Sequence, residues 1–576
     1  MPSSPTRARG QPSRGPDPIT AEIIRYGLSS ITDQIEKNIM RTAFSPLIYE
    51  YRDFSVGILD TQAQVIAQGR GSLPIFVANA LGAAVRDGLA IYGAERMFPG
   101  DVVINNHAGS MGQHLNNVVM YTPIHVDGAL FGFMAILMHW MDVGGSVVGS
   151  CFGTRTTDIF QEGIQLRSVK LYSQGDRVEE IYRIIECNTR FPTMVLGDIS
   201  SQLAGCLMGR DLTLALIQKY GPSDVRAAIE LFWAQSEAVA RAAIGAVPDG
   251  EYRATSFLDD DGITLDRTVP IDIAVRVTGE TIEIDFSGIA EQLEGPINAG
   301  YNGGAACAAR IACKYLFSPG EPGNEGAFRP LTVTIPDGKF LSAGPTAPMG
   351  GSGYTLPTVV DTIFKALADA APDRVNAGHH GTYGTHVFHG RLPGSAELFQ
   401  HLESCIGGWG ASSKADGASP YRSLIHGDMF DTPAEFLEAA YPFRVLSTTL
   451  RPDSGGAGRF RGGLGTVKVF EILAPCSLTV YFERSKCAPW GLQGGGEGKP
   501  GYVEIHRPGE APSRILKGEV DLQPGDRVHI VAGGGGGFGS PRDRDPDRVS
   551  RDIAHGMITA AAAQRDYGLA LADETQ

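Results

Sequence analysis

An Asp127-Gly128 step separates two apolar runs, residues 118–124 and 129–137, both rich in Val, Ile, Phe, Tyr and Met. Little but an antiparallel β-hairpin suits that pattern, because Asp-Gly supplies the two left-handed residues that the tightest hairpin turn needs. In the register such a turn sets, residues whose numbers sum to about 255 face each other. Asn116 then lies opposite His139, with His114 just beyond the strand end. His107, His114, Asn116, Asn117, His139 and Asp142 all crowd the end away from the turn. A slip of one residue would send every side chain to the other face, so the sequence specifies the shared end of the hairpin and not the individual pairs. Two imidazoles converging with a carboxylate or amide oxygen are a ligand set for a zinc- or manganese-like ion. The alternative is a set of polar residues at a hairpin mouth that bond only to one another.

Around this hairpin the pattern predicts helices after Asp17-Pro18 (stripe Ile24, Leu28, Ile31, Ile35, Ile39) and over 75–92, 178–186, 200–216 and 223–246. Asp53 opens a strand at 54–59, where a carboxylate either points into a cleft or caps a turn. From Asp249 the texture changes to strands at 252–257, 271–277 and 281–286, with helices at 302–316 and 358–371. Further strands follow at 442–450, 467–473 and 478–483. The expected fold is α+β and multidomain. It has a disordered tail (1–16), an N-terminal mixed α/β domain with the metal-site hairpin (17–247) and a middle α+β domain (248–395). A Gly-rich β domain (396–545) and short C-terminal helices (546–576) complete it. The 74 glycines lack a collagen period and point to many tight turns in a β-rich half.

A net charge of -15 argues against a nucleic-acid partner. No apolar run is expected to be long enough to span a bilayer, and the first sixteen residues have no apolar signal region, so a cytoplasmic location is expected. The eight cysteines show no C-x-x-C spacing, which indicates neither a zinc knuckle nor a disulfide framework. His379, His380, His386 and His389, in NAGHHGTYGTHVFHG, fit no standard zinc signature. The loop Gly350-Gly351-Ser352-Gly353 reads as a connector or as backbone close to a ligand. Neither a G-x-x-x-x-G-K-[ST] phosphate loop nor a G-x-S-x-G elbow is present.

RTAFSP at 41–46, YRDFSVGILD at 51–60, the 114–145 region, DIFQEG, RPDSGGAGRFRGGLG, PWGLQGG and GGGGGFGSPRDRDPDRV together resemble the hydantoinase B/oxoprolinase family. The resemblance runs from about Asp17 to the last helix. It implies the B-type subunit of an ATP-dependent cyclic amide hydrolase that opens hydantoin, 5-oxoproline or lactam rings. ATP would then be bound by a hydantoinase A-type partner, which accounts for the missing phosphate loop. The alternatives it leaves are the metal subunit of an acetone- or acetophenone-type ketone carboxylase and a non-catalytic structural subunit. The family's divalent metal (Zn, Mn or Fe) would fall to Asp53, to His114 with Asn117, and to His139 ahead of Asp142-Val143-Gly144-Gly145. Asn117 stands where the family usually has Asp, a neutral and weaker ligand. Asn105-Asn106-His107 replaces the usual N-D-P and makes His107 a further candidate ligand. Asp142 or Glu50 is the expected general base, acting on a water that attacks substrate phosphorylated at the partner.

Overall fold

The computed structural model describes residues 16–427 and 429–569; apart from Pro16, the tail expected over 1–16 lies outside them. The hairpin forms as Asn117–Val126 and Ala129–His139, with Asp127 and Gly128 at φ 51° and 80°. It is the centre of a seven-stranded sheet ordered Val65–Gln68, Phe54–Asp60, Ala129–His139, Asn117–Val126, Val102–Asn105, Val169–Ser173, Asp176–Arg177. All of its pairings are antiparallel.

The register differs from expectation by one residue, for a local reason. Val126 pairs with Ala129 and His125 with Leu130, but Ile124 then pairs with Gly132, so Phe131 is an extra residue in a β-bulge. His139 therefore faces Asn117, and Asn116 turns to the opposite face. Glycine is required at 132 because a Cβ there would lie 2.2 Å from the Leu59 carbonyl oxygen of the neighbouring strand.

The sheet is buried on both faces, which is why its central strands read as continuous apolar runs. Val118, Met120, Met134, Ile136 and Met138 pack under the helices Pro18–Thr42 and Pro192–Tyr220. The first of these helices starts where expected, with Asp17 Oδ1 accepting from the Ile19 and Thr20 amides and Pro18 in the first turn. Val119, Tyr121, Phe133, Ala135 and Leu137 face the other way, into a core continuous with Ile271, Phe286, Leu356 and Ile363 from the second half of the chain. By strand alternation Asp53, Asn117 and His139 belong to this second face.

A four-stranded sheet (Leu331–Thr334, Thr281–Asp285, Val269–Thr278, Gly250–Leu258) carries the helices Ala305–Phe317 and Ser352–Ala366. The latter starts six residues before the expected Thr358, with Pro357 inside it. This earlier start brings Gly353 and Tyr354 up to the first sheet. Two further sheets follow: Leu398–Glu403, Thr385–Arg391, Cys476–Tyr481, Lys517–Leu522, and Phe443–Leu450, Thr466–Ile472, Arg527–Val531, Tyr502–His506, Ser513–Ile515. The domain boundary expected between 395 and 396 falls in the connection of two directly paired strands, Thr385–Arg391 and Leu398–Glu403.

Contrary to expectation, one stretch, Pro74–Tyr92, is long and apolar enough to cross a membrane. It is 72% buried in the fold and is broken at Asn79 into the helices Pro74–Val77 and Ala80–Tyr92, which pack in the core.

The glycine clusters are not mainly turns. Residues 533–537 run extended through the centre of a backbone bundle. The amides of Gly534, Gly535, Gly536 and Gly537 donate to the carbonyls of Lys499, Gly463, Gly378 and Gly496 respectively. Gly534 and Gly537, three apart, thus reach the same neighbouring segment, while the two residues between them reach two others. Such a three-residue rotation of bonding directions is that of a polyproline-II-type chain packed on all sides, where only glycine fits. A Cβ on Gly535 would sit 2.0 Å from the Trp409 carbonyl oxygen.

Candidate metal centre

The end of the hairpin away from the turn meets the start of the strand Phe54–Asp60, and the His139 amide donates to the Asp53 carbonyl. His114 comes off the short helix Ala108–Met111 just before the strand. Its ring centroid lies 5.2 Å from that of His139. A loop from Gly144 to Cys151 folds back over this end. Asn116, on the far face, braces the loop: its Nδ2 donates to the Trp140 and Gly149 carbonyls, and its Oδ1 accepts from the Cys151 amide. The donor atoms of His114, His139 and Cys151 all lie within 4.8 Å of one another.

These groups line a small cavity together with Asp53, Tyr51, Phe152, Tyr354, Tyr383 and Thr385. Glycine is required at 350, also on its wall, since a Cβ there would lie 2.4 Å from the Cys151 carbonyl oxygen. Both ring nitrogens of His114, Nδ1 of His139, Oδ1 of Asp53 and Oδ1 of Asn117 are buried without a hydrogen-bond partner. Buried polar atoms normally find partners, so an accumulation of unpartnered donor atoms around one space points to a ligand. Asn117 Nδ2 donates to Gln113 Oε1, which leaves the amide oxygen as its free end.

Burial also sets the charge states. It pushes the Asp53 carboxyl up to about 7. It lowers His114 to about 4, against an opposing pull from Asn117, and holds His139 well below the usual histidine range, with His114 adding to the effect. Both imidazoles are therefore neutral at physiological pH and carry the lone pairs a metal needs. The Cys151 thiol is raised well above its ordinary value by burial and by the nearby Glu162.

The family described as Hydantoinase B/oxoprolinase matches residues 17–541. The chain belongs to that family. An uncharacterized protein of Methanocaldococcus jannaschii is 32% identical over 558 residues, 96% of each chain. Caprolactamase subunit beta of Pseudomonas jessenii is 29% identical over 571 residues, again 96% of each. The crystal structure of the ATP-dependent caprolactamase from that organism superposes with a TM-score of 0.89 at 28% identity, over 97% of both chains. A nucleotide-free acetone carboxylase structure shares the fold, with a TM-score of 0.86 at 19% identity, over 97% of this chain and 80% of that one.

In this hydantoinase B/oxoprolinase chain the other sequence candidates lie elsewhere. Asp142 does not line the cavity. Its oxygens accept from the Gly144, Gly149 and Arg190 amides and from the Arg190 guanidinium at 2.7 Å, so it is a fully engaged brace for the loop and not a free base. Glu50 is half-buried at the end of the short helix Pro46–Tyr49 and is also absent from the lining. His107 caps the helix Ala108–Met111, near Asp87 and Arg167, and stands apart from the His114 group. Cys151 and the three tyrosines went unrecognised in the sequence. The Asp-x-Gly-Gly signal beside His139 marked the loop that delivers Cys151, but no spacing rule links residue 151 to 114.

Proposed function

We propose that this chain is the B-type subunit of an ATP-dependent cyclic amide hydrolase acting on a hydantoin, 5-oxoproline or lactam ring, with ATP bound by a hydantoinase A-type partner. The observation that carries the reading is the cavity lined by His114, His139 and Asp53, each of which brings an unpartnered donor atom. End-to-end similarity to a caprolactamase beta subunit favours amide hydrolysis over ketone carboxylation, for which the support is the fold alone. His114, His139 and Asp53 would hold the metal, with Asn117 beside them. A divalent ion there would supply Lewis-acid activation of a carbonyl or of water.

The chain's own residues supply the rest. Tyr51, Tyr354 and Tyr383 line the cavity and are raised by burial, so they stay protonated; the Tyr51 hydroxyl is held by Ser404, which leaves Tyr354 and Tyr383 as the candidate neutral donors to a developing oxyanion. Phe76, Phe152 and Leu402 exclude bulk water. Asp53 is the one carboxylate among the described lining residues. Its unpartnered Oδ1 is the oxygen it would offer to the ion, and neither Asp142 nor Glu50 lines the cavity to act as the expected base.

The test is reconstitution with the A-type subunit, ATP and a panel of cyclic amides. The pair should form ADP and ring-opened acid together. His114→Ala and His139→Ala should cost more than the roughly 10–100-fold that loss of an outer-shell partner costs a metal site. Steady ATP hydrolysis by the purified single chain would sink the proposal.

A further inference from the structure

We infer that Cys151 is a thiolate ligand of the same ion, so that the site is built for zinc or another thiophilic dication and not for a hard ion such as manganese. The inference rests on the metal reading above and specifies its ligand set. Sγ of Cys151 lies 3.9 Å from Nε2 of His139. Bonds of about 2.0 Å to nitrogen and about 2.3 Å to sulfur at a tetrahedral angle would place the two donors about 3.5 Å apart. The observed pair is within a few tenths of an ångström of that spacing. Asp53 lies in the same cavity but outside the 4.8 Å grouping of His114, His139 and Cys151.

The surroundings separate this cysteine from one that merely packs. The buried thiols of Cys206, Cys307 and Cys405 each donate to a backbone carbonyl, of Met120, Ile75 and Gly384. Sγ of Cys151 instead faces an imidazole. Its backbone is fixed by left-handed residues at Gly149 and Ser150 (φ 78° and 62°), by the Asn116 side chain, and by the Val143 amide donating to Ser150 Oγ. A non-glycine residue in the left-handed region is uncommon and costs free energy, which the surrounding structure must offset.

Charge completes the argument. Two neutral imidazoles bring no charge to a dication, and the Asp53 carboxylate in the same cavity brings one negative charge. A Cys151 thiolate brings the second and makes the centre neutral, as a dry cavity requires. On binding, the thiol proton leaves to solvent and the sulfur lone pair forms the new bond, with no change of oxidation state. Nitrogen and thiolate donors together select zinc over manganese.

The full chain, stripped of metal and loaded with cobalt(II), tests this without any assay of turnover. The expected result is one cobalt per chain with a near-ultraviolet sulfur-to-cobalt charge-transfer band. Cys151→Ser and Cys151→Ala should keep cobalt, bind it more weakly and lose the band. Wild-type protein that binds cobalt through His114 and His139 but shows no band, or a band that survives in both Cys151 variants, overturns the thiolate ligand and leaves the metal site standing. Failure of the wild type to retain cobalt, or retention unaffected by His114→Ala and His139→Ala, overturns both. Should the Cys151 variants not fold, X-ray absorption of the zinc-loaded wild type decides: a sulfur shell at about 2.3 Å supports the ligand, and its absence refutes it.

Discussion

Asp53 carries a free-energy cost that a bound cation would remove. Its carboxyl titrates at about 7 in the folded, metal-free chain because it is buried, against about 3.9 when unfolded. Between those values the folded state holds the extra proton, so this residue's contribution to stability falls as pH rises through 4–7. Below about 4 there is no penalty, and above about 7 the penalty is complete. Metal-free Asp53→Asn should therefore melt higher than wild type at pH 8, by at most a few kcal/mol at 1.36 kcal/mol per pKa unit. The gain should vanish near pH 4 in thermal scans. With zinc bound the order should reverse, since the variant loses a ligand. Asn117→Asp adds a negative charge within a few ångströms of the ion and should tighten zinc binding by about tenfold or more in a chelator competition, as Coulomb attraction at that range exceeds 1 kcal/mol even at an effective dielectric of about 20. Unchanged affinity would exclude Asn117 from the ligand set. At this scale the sequence made His114 and His139 legible, because a strong turn fixes which strand ends meet. It hid the bulge at Phe131, which no composition rule marks and which exchanges the roles of Asn116 and Asn117.

Most elements were legible from periodicity and caps, and the glycine segments were not. Expected helices at 178–186 and 223–246 correspond to Glu179–Cys187 and Pro222–Ile244, and the strand at 271–277 to Val269–Thr278. Polar and apolar alternation identifies such elements, but extended glycine chains bury backbone and leave no side-chain period to read. RPDSGGAGRFRGGLG and the 533–537 run carry no readable period, yet they bond to one another through the middle of the second half. The consequence is steric: Gly535→Ala places its Cβ against the Trp409 carbonyl carbon and oxygen, at 2.2 and 2.0 Å, with only backbone to give way. A loss of about 3 kcal/mol or more is expected, at the severe end for single substitutions, and soluble yield and melting temperature would show it. Gly320→Ala, with nothing within 4 Å, is the control and should be nearly neutral.

At the scale of the whole molecule, the chain is multidomain as expected, and one hydrophobic core runs across the boundary expected between 247 and 248. Residues 17–247, read from the sequence as an α/β domain with the metal-site hairpin, contain the candidate ligands Asp53, His114, Asn117 and His139, and Cys151 as well. Its central sheet, however, turns Val119, Tyr121, Phe133, Ala135 and Leu137 toward a core that continues through Ile271, Phe286 and Ile363 to Phe538. The opposite wall of the cavity comes from Gly350, Gly353, Tyr354, Tyr383, Thr385 and Leu402. A fragment ending at 247 would expose that apolar face and open the cavity to water, which would hydrate the donor atoms and strip the dry surroundings that favour neutral imidazoles. The expectation is that residues 17–247 expressed alone fail to give a cooperative melt and hold no stoichiometric zinc, although every proposed ligand is present. The full chain should unfold in one calorimetric transition, stabilised by about 2.7 kcal/mol when free zinc is a hundredfold above its dissociation constant. A 17–247 fragment that melts cooperatively and retains one zinc would show that the second half of the chain serves something other than the closure of this site.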